Sequence, residues 1–195
     1  QMNEHFYKEE LSYNASEIRP FKRIEAGFGG KLVSDDIYDL RATLSPSEVK
    51  NKIFKGFKKT CHTLYKFDSE TERRFAIVLE NDSNVILWLR PSSKKFNIYD
   101  GPGGIRRYEP DFIVETSNNI YMVETKATNE MESEIVKQKA EAAVKYCLEA
   151  TKWNSENGGK PWHYVLIPHD EVRINSTFNH LLHNSKNHNQ SSLNL

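Results

Sequence analysis

Cysteine is nearly absent: the 195 residues include only Cys61 and Cys147, which form no CxxC pair. This argues against a cysteine-based zinc site or a disulfide framework and indicates a reducing compartment, which we expect to be the cytoplasm. No apolar run reaches transmembrane length, so we expect no membrane association. The N-terminus has no signal-peptide pattern. Because the chain begins Gln1-Met2, we expect it to be a segment of a longer protein.

An excess of charge of one sign is also missing. The 27 basic and 27 acidic residues balance, and this neither predicts nor excludes a nucleic-acid partner, because local patches can supply the attraction. The glycine-rich run at 27–31 lacks the spacing of a Walker A motif, so we expect no ATP site within this sequence. A length of 195 residues with 37% hydrophobic residues suits one globular domain with extensions.

Helical and strand patterns alternate along the chain. Ser45 and Pro46 start a predicted helix whose apolar positions Val49, Ile53 and Phe57 share one face. The later predicted segments are a helix over 69–80, a buried strand over 84–90, a strand over 96–99 that extends or pairs with it, a glycine-rich loop over 101–104, a hairpin over 111–127, a helix over 134–150 and a strand over 162–167.

These segments predict three parts. Residues 1–45 are an extension or linker, residues 46–175 a domain, and residues 176–195 a flexible tail rich in Asn, His and Ser. The stretch FKGFKKTCHTLYKF over 54–67 fits either nucleic-acid contact or core aromatics with a solvated lysine face. The predicted buried face of the helix over 134–150 comprises Val136, Ala140, Ala143, Val144 and Cys147.

Charged residues interrupt the apolar hairpin RYEPDFIVETSNNIYMVETKA at 107–127. A two-residue turn at Ser117-Asn118 places Asp111 opposite Glu124, whereas a turn at Asn118-Asn119 places Asp111 opposite Lys126. In both registers the three charged residues share one face, because side chains alternate with a period of two. The strands are apolar on both faces, which indicates that these charges are buried.

Two carboxylates held close together repel each other unless a cation neutralises them. Hard oxygen ligands suit Mg²⁺ or Mn²⁺, and such an ion can activate water and stabilise charge on a phosphoryl oxygen. A nearby lysine can position or deprotonate that water. The pattern is therefore typical of phosphodiester hydrolysis, although polar residues on the exposed face of a hairpin would give a similar string.

Pro110-Asp111 followed by Glu124-Thr125-Lys126, within a helix-strand-strand-strand-helix-strand order, resembles the PD-(D/E)xK nuclease superfamily. The chain also resembles the C-terminal endonuclease domain of the Res subunit of type III restriction enzymes. The strings that carry this likeness lie within about residues 55 to 175: GFKKTCHTLYKFDSETERRFA, RYEPDFIV, YMVETKA, KAEAAVKYC and HYVLIPHDEV.

The resemblance implies an α/β fold with a restriction-endonuclease-like αβββαβ core, a mixed central sheet flanked by helices and a helical N-terminal extension. It also implies Mg²⁺-dependent cleavage of double-stranded DNA, with Mn²⁺ as a substitute. Asp111, Glu124 and the backbone carbonyl of Thr125 would be metal ligands, and Lys126 would be the catalytic lysine. Glu72 would contribute from the first core helix, yet Ser69 to Glu72 also reads as a capping box in which Glu72 only caps its own helix.

Further residues are candidates for DNA contact. Lys139 resembles a polar residue that related nucleases carry on the second core helix, with Gln138 as its neighbour. Arg106 and Arg107 precede the catalytic strand and could hold a phosphate, although a solvated arginine pair also fits. In relatives the ATP-driven motor lies elsewhere in the chain, and a methyltransferase subunit reads the DNA sequence. The alternatives are a nuclease-fold module that binds DNA without cleaving it and a single-strand or repair-type nuclease.

Overall fold

The computed structural model describes residues 37–91, 98–100 and 106–192. Its elements in chain order are β1 (Ile37–Asp39), α1 (Pro46–Val49), β2 (Ile53–Lys55), α2 (Glu70–Asn81), β3 (Val85–Leu89), β4 (Ile98–Asp100), β5 (Arg106–Tyr108), β6 (Phe112–Thr116), β7 (Ile120–Lys126), α3 (Glu134–Glu156), β8 (Trp162–Pro168) and α4 (Phe178–Ser192). Short 3-10 helices occupy Thr128–Glu130 and His169–Glu171.

A four-stranded sheet with the order β3-β6-β7-β8 forms the centre of the fold. Neighbours β3, β6 and β7 run antiparallel, whereas β8 runs parallel to β7, so the sheet is mixed. The parallel pair requires a crossover, and α3 supplies it between β7 and β8. The predicted α/β class, with a mixed sheet packed against helices in a restriction-endonuclease-like core, is confirmed.

Helices α2 and α4 cover one face of this sheet. Their buried side chains share a core cluster with alternate residues of β6, β7 and β8, including Phe75 of α2 and Phe178 of α4. The ring centroid of Phe75 lies 4.9 Å from that of Phe112 and 6.0 Å from that of Phe178. The α4 N-terminus is fixed because the Phe178 N–H donates to the Asp82 carboxylate over 2.6 Å.

Helix α3 covers the opposite face, together with a small sheet made of β4 and β5. Ala143 and Cys147 of α3 pack against Ile113 of β6 and Met122 of β7. Tyr108 of β5 belongs to the same cluster. Successive residues of β6 and β7 therefore point alternately to the α2 and α3 faces, as strand geometry requires.

The segment around β2 differs from the predicted helix. Only Pro46–Val49 is helical, and Ile53–Lys55 pairs in parallel with β1, so the prediction of a helix reaching Phe57 is wrong. The Glu48 carboxylate accepts from the Ser45 N–H as a helix start should, but the chain then turns into a strand. The cause is tertiary packing, since Phe54 and Phe57 are buried in an aromatic cluster that a longer helix could not reach.

The aromatics of the 54–67 stretch lie in the core, and its lysines Lys55, Lys58 and Lys66 are exposed. The core interpretation of that stretch is therefore confirmed. Strand β3 is an edge strand with a register shift between Val85 and Leu87, which leaves Ile86 and Leu87 more than two-fifths exposed at 47% and 43%. The prediction that the whole strand is buried is wrong at these two positions.

Further predictions need correction. Helix α3 extends to Glu156, and Val144 on its predicted buried face is exposed, because that position points away from β8. Residues 178–192, predicted as a flexible tail, form α4, and Leu181 is fully buried in the core. Strand β4 pairs with β5 and not with β3.

The predicted extension over 1–45 lies outside the described residues up to position 36, and its described part contains strand β1 in place of a helix. The predicted 101–104 loop and residues 96 and 97 also lie outside the described residues. Within the part of the chain that the structure describes, no helix is long and apolar enough to span a bilayer. Cys61 and Cys147 are both free thiols.

Candidate active site

The β6–β7 hairpin has the first of the two predicted turns. Phe112 pairs with Val123 and Glu115 with Ile120, so the turn residues are Ser117 and Asn118. Continued by one residue, this register places Asp111 opposite Glu124. Asp111 itself lies just before β6, at the end of the chain segment that enters the sheet after Pro110.

Asp111 is held by the residue that follows Glu124. Its Oδ2 atom accepts a hydrogen bond from the Thr125 N–H at 2.8 Å and another from the Thr125 hydroxyl at 2.9 Å. Thr125 is buried, so both donors are fixed by the packing of β7. The Oδ1 atom has no hydrogen-bond partner among the described residues.

Glu124 is held by a donor from another strand, Tyr108 of β5. Its Oε2 atom accepts a hydrogen bond from the Tyr108 hydroxyl at 3.1 Å. The Oε1 atom has no hydrogen-bond partner within the described ranges. Asp111 and Glu124 therefore share a pattern in which one carboxylate oxygen is bound by a protein donor and the other is left over.

Burial makes both carboxyl groups unusually basic. It raises the pKa of Asp111, against the lowering effect of the Thr125 hydrogen bonds. Burial also raises the pKa of Glu124 to about 8, with a further rise from the charge of Asp111 and an opposing effect from Lys139. Two carboxyls that resist ionisation in each other's presence form a site that a divalent cation would stabilise.

Glu72 lies at the other side of Asp111, on the first turn of α2. Its backbone N–H donates to the Ser69 hydroxyl, and its Oε2 atom accepts from the Asp68 N–H at 2.9 Å. The same oxygen forms an ion pair with Arg90 at 2.8 Å. Burial raises the pKa of Glu72 to about 7, and Asp111 raises it further while Arg90 lowers it. Glu72 therefore both caps the start of α2 and lies close to Asp111.

Within the described ranges, no three His, Cys, Asp or Glu side chains are grouped so that they could hold a metal ion. Glu72 thus does not meet Asp111 and Glu124 as a third ligand. The reason lies in the layers of the fold: Glu72 approaches from the α2 face, whereas strand alternation directs Glu124 to the α3 face. Arg90 additionally holds the Glu72 carboxylate on its own side.

A cleft of about 290 Å³ opens beside Glu124 on the α3 face. Its lining comprises Glu124, Lys126, Glu130, Ser133, Ile135, Val136, Lys139 and Tyr164. The Lys126 ammonium lies 3.0 Å from the Glu130 carboxylate, and this pair is half exposed, so it is weak and easily exchanged. The Lys139 ammonium stands over the Tyr108 ring, 5.8 Å from its centroid.

The other residues predicted to contact DNA are Gln138, Arg106 and Arg107. Gln138 donates to Glu134 on the exposed surface of α3 over 3.1 Å and does not line the cleft. Arg106 and Arg107 belong to β5, and their side chains lie outside the described part of the structure. Sequence reasoning correctly gathered Asp111, Glu124 and Lys126 near one end of the hairpin.

Sequence reasoning missed Tyr108, Tyr164 and Arg90. Arg90 donates to the Lys66 carbonyl and pairs with Asp68 as well as Glu72, so it is the cation on the α2 side of the site. The sequence signal for Arg90 was its position directly after the apolar run of β3. No spacing rule marks the tyrosines: the Tyr108 hydroxyl reaches Glu124 from β5, and Tyr164 lines the cleft from β8, only through the pairing of these strands with other elements.

The chemistry of the donor set fits Mg²⁺. Two carboxylates with an oxygen each left over are hard ligands, and ion binding through one or two carboxylates with retained waters is usual for Mg²⁺. No carboxylate–ammonium or carboxylate–guanidinium ion pair involves Asp111 or Glu124 among the described residues. The arrangement can therefore hold one small divalent cation with lysines nearby to receive a phosphate.

Comparison with known proteins gives one match. A protein-family model described as an endonuclease domain covers residues 58–155, about half of the chain. The matched range runs from the loop before α2 to the end of α3 and contains the acids and lysines described above. No curated protein and no solved structure matches the chain.

Proposed function

The chain belongs to this endonuclease-domain family, and on that premise we propose that it hydrolyses phosphodiester bonds of double-stranded DNA with Mg²⁺. One observation carries the proposal: Asp111 and Glu124 are half-buried, adjacent carboxylates, each with one oxygen bound by a protein donor and one left over. Such a pair is costly in a fold unless it has a cationic partner.

In this proposal Asp111 and Glu124 hold the ion, and the Thr125 backbone carbonyl adds a further oxygen. When bound, Mg²⁺ or its substitute Mn²⁺ supplies a Lewis acid that activates water and neutralises charge on the phosphoryl oxygens. Glu72 supports the site from the α2 face, where its charge lies near that of Asp111. Thr125 fixes Asp111 through two donors.

Lys126 is the proposed catalytic lysine. It lines the cleft with Glu124, and its pairing with the half-exposed Glu130 is weak enough for the ammonium to turn toward a phosphate. There it would stabilise the charge that develops on the phosphoryl group or take a proton from the attacking water. Lys139, on the same cleft, together with Arg106 and Arg107, would bind the DNA backbone.

We further propose that this domain is the cleavage module of a type III restriction enzyme. The strings that resemble the Res subunit extend beyond the metal motif, and several of them fall within the matched range of 58–155. DNA translocation by a helicase-like, ATP-driven motor and sequence recognition by a modification methyltransferase would then come from outside these residues. The isolated domain should cleave slowly and without sequence choice.

The test is nicking of supercoiled plasmid by the purified chain with Mg²⁺, with Mn²⁺ and with EDTA. We expect cleavage in either metal and none in EDTA. Asp111→Asn and Lys126→Ala should each remove activity by at least about 100-fold, as loss of a ligand or of a transition-state cation does in hydrolases. Lys152→Ala, at an exposed position near the far end of α3, is the charge-matched control for Lys126→Ala.

The outcomes separate the alternative functions. DNA binding that is equal in EDTA and Mg²⁺, without any nicking, would indicate a binding or docking module. Cleavage of single-stranded DNA in preference to supercoiled and linear duplexes would indicate a single-strand or repair-type nuclease. Full activity in Asp111→Asn would contradict the assignment of the metal site, whatever the substrate.

A further inference from the structure

We propose that Tyr108 is a positioning residue for the metal site: its hydroxyl fixes the Glu124 carboxylate so that one chosen oxygen remains for the cation. This inference rests on the proposed function, since it concerns how Glu124 is presented to Mg²⁺. Its basis is the hydrogen bond of 3.1 Å from the Tyr108 hydroxyl to Oε2 of Glu124.

The Tyr108 ring is locked in place by its surroundings. It is 1% exposed and packs in the cluster between the sheet and α3, against side chains that include Ile98 and Met122. The Lys139 ammonium covers one face of the ring. A ring that cannot change its rotamer presents its hydroxyl at a fixed point, which is the property that a residue orienting a metal ligand requires.

The small sheet explains why this tyrosine reaches the site. Tyr108 is the last residue of β5 and pairs with Ile98 of β4, and β4 contacts α3. The β4–β5 sheet is thus docked on the α3 face next to β7, where Glu124 points. Asp111 follows three residues later, directly before the first β6–β7 pair at Phe112. The same short segment therefore supplies both Asp111 and Tyr108, the donor to Glu124.

Tyr164 is a second tyrosine near Glu124. It comes from β8 and lines the same cleft as Glu124. The donor to the Glu124 carboxylate is nonetheless Tyr108, so Tyr164 serves as a comparison for a tyrosine that is close to the acid without holding it.

Asp111 and Glu124 are each restrained by hydrogen bonds to one of their two carboxylate oxygens. Thr125 donates twice to Oδ2 of Asp111, and Tyr108 donates to Oε2 of Glu124. A carboxylate restrained in this way favours binding through its remaining oxygen over bidentate binding, which leaves coordination positions for water and phosphate. Tyr108 therefore contributes to metal affinity without touching the DNA or the ion.

The experiment compares Mg²⁺ binding by calorimetry in the parent chain and three tyrosine variants. Tyr108→Phe should weaken binding by about 10- to 100-fold, the usual effect of removing a residue that orients a ligand. Tyr164→Phe changes a cleft residue but leaves the Tyr108 donor in place, so it should weaken binding by a smaller factor. Tyr65→Phe is the matched control, because Tyr65 is a buried tyrosine whose hydroxyl bonds Thr60 at 2.7 Å, away from the acids.

A second readout separates positioning from a general loss of structure. Plasmid nicking is measured as Mg²⁺ is raised, and urea unfolding is measured without metal. In Tyr108→Phe the Mg²⁺ concentration for half-maximal rate should rise, while the rate at saturating Mg²⁺ returns to within a few-fold of the parent. Glu124→Gln, which removes a proposed ligand, should not recover at any Mg²⁺ concentration.

The results distinguish this inference from the function on which it rests. If the parent binds Mg²⁺ and Tyr108→Phe binds it equally well, the positioning role is wrong and the nuclease proposal stands. If Tyr108→Phe loses affinity only in proportion to a loss of folded protein, the positioning role is also wrong. If the parent binds neither Mg²⁺ nor Mn²⁺, both the metal-dependent function and the role of Tyr108 are overturned.

Discussion

At the scale of single residues, Glu72 shows how one side chain can satisfy two expectations. Its carboxylate caps the segment before α2 through the Asp68 N–H, and the same oxygen pairs with Arg90. The guanidinium of Arg90 also faces the rings of Phe67 and Phe112, at 5.3 and 5.6 Å. Glu72 is thus the partner of a partly buried cation, and this fixes it on the α2 side of Asp111.

Glu72→Gln tests this arrangement. The amide oxygen can still accept from Asp68, but the ion pair with Arg90 is lost. Because burial raises the pKa of Glu72 to about 7, the folded protein favours the uncharged carboxyl over the ionised one, and the neutral amide avoids that cost. We therefore expect the unfolding free energy at neutral pH to change by less than about 1 kcal/mol. Mg²⁺ affinity should fall far less than in Asp111→Asn, because Glu72 does not group with the other two acids. Urea unfolding and calorimetry provide the two measurements.

Glu141→Gln, at an exposed position on α3, is the control for the change of charge. It should alter neither stability nor Mg²⁺ binding. A folded Glu72→Gln variant with an Mg²⁺ affinity as low as that of Asp111→Asn would contradict the structural role. Glu72 would then be a metal ligand after rearrangement of its pairing with Arg90.

At the scale of elements, α4 is the segment whose role differs most from expectation. Its sequence is rich in Asn, His and Ser, yet Phe178, Leu181 and Leu182 repeat at helical spacing and are buried against the sheet and α2. The N-terminal anchor to Asp82 supports this placement. The matched range of the family ends at 155, so α4 is a part of the fold outside that match.

Leu181→Ala should destabilise the protein by about 2–5 kcal/mol, the cost of truncating a fully buried leucine. His183→Ala changes an exposed position on the same helix and should cost less than about 0.5 kcal/mol. Guanidinium unfolding of both variants gives the comparison. Equal stabilities for the two variants and the parent would show that α4 does not belong to the core and that a flexible tail was the better description.

The elements also show what sequence pattern could and could not predict. Helix α2, the β6–β7 hairpin and β8 were predicted nearly to the residue, because a cap, a short turn and a run of buried apolar residues are local signals. Strand β2 was missed, since its pairing with β1 is a contact between separate segments. Turn length and parity predicted that Asp111, Glu124 and Lys126 share one face but left two registers open, and the structure selects the register that places Asp111 opposite Glu124.

The remainder of the candidate site depends on contacts that no local pattern encodes. Tyr108 lies in β5, Tyr164 in β8 and Arg90 directly after β3, and only the packing of these separate strands brings them around two acids. Glu72 was left open between two roles because its spacing on α2 served both. The layers of the sheet decide its position: an acid on the α2 face cannot readily join one that points to the α3 face.

At the scale of the whole molecule, the raised pKa values link stability, pH and metal binding. Burial raises the pKa of Glu72 to about 7 and that of Glu124 to about 8, and it also raises the pKa of Asp111. At pH values between the ordinary carboxyl pKa and these raised values, the folded protein retains protons that the unfolded chain has lost. Stability from these groups is therefore complete at low pH and is lost as pH rises through about 7 to 8.

We expect Mg²⁺ to reverse that loss, because it binds the ionised carboxylates of the folded state only. At an Mg²⁺ concentration about tenfold above Kd the gain is about 1.4 kcal/mol, or roughly 3–5 °C in Tm for a chain of this size. The gain should grow from about pH 5 to about pH 8, as the protons that compete with the ion leave. Thermal unfolding followed by circular dichroism, with and without Mg²⁺, measures it.

Glu124→Gln provides the control within the same experiment. It removes one proposed ligand and one of the raised carboxyl pKa values, so the variant should lose less stability with rising pH and gain little from Mg²⁺. Sodium chloride at matched ionic strength separates specific binding from screening. A Tm gain in the parent that is the same at about pH 5 and about pH 8, or that persists in Glu124→Gln, would place Mg²⁺ binding away from these acids, because only ionised carboxylates bind the ion in competition with protons.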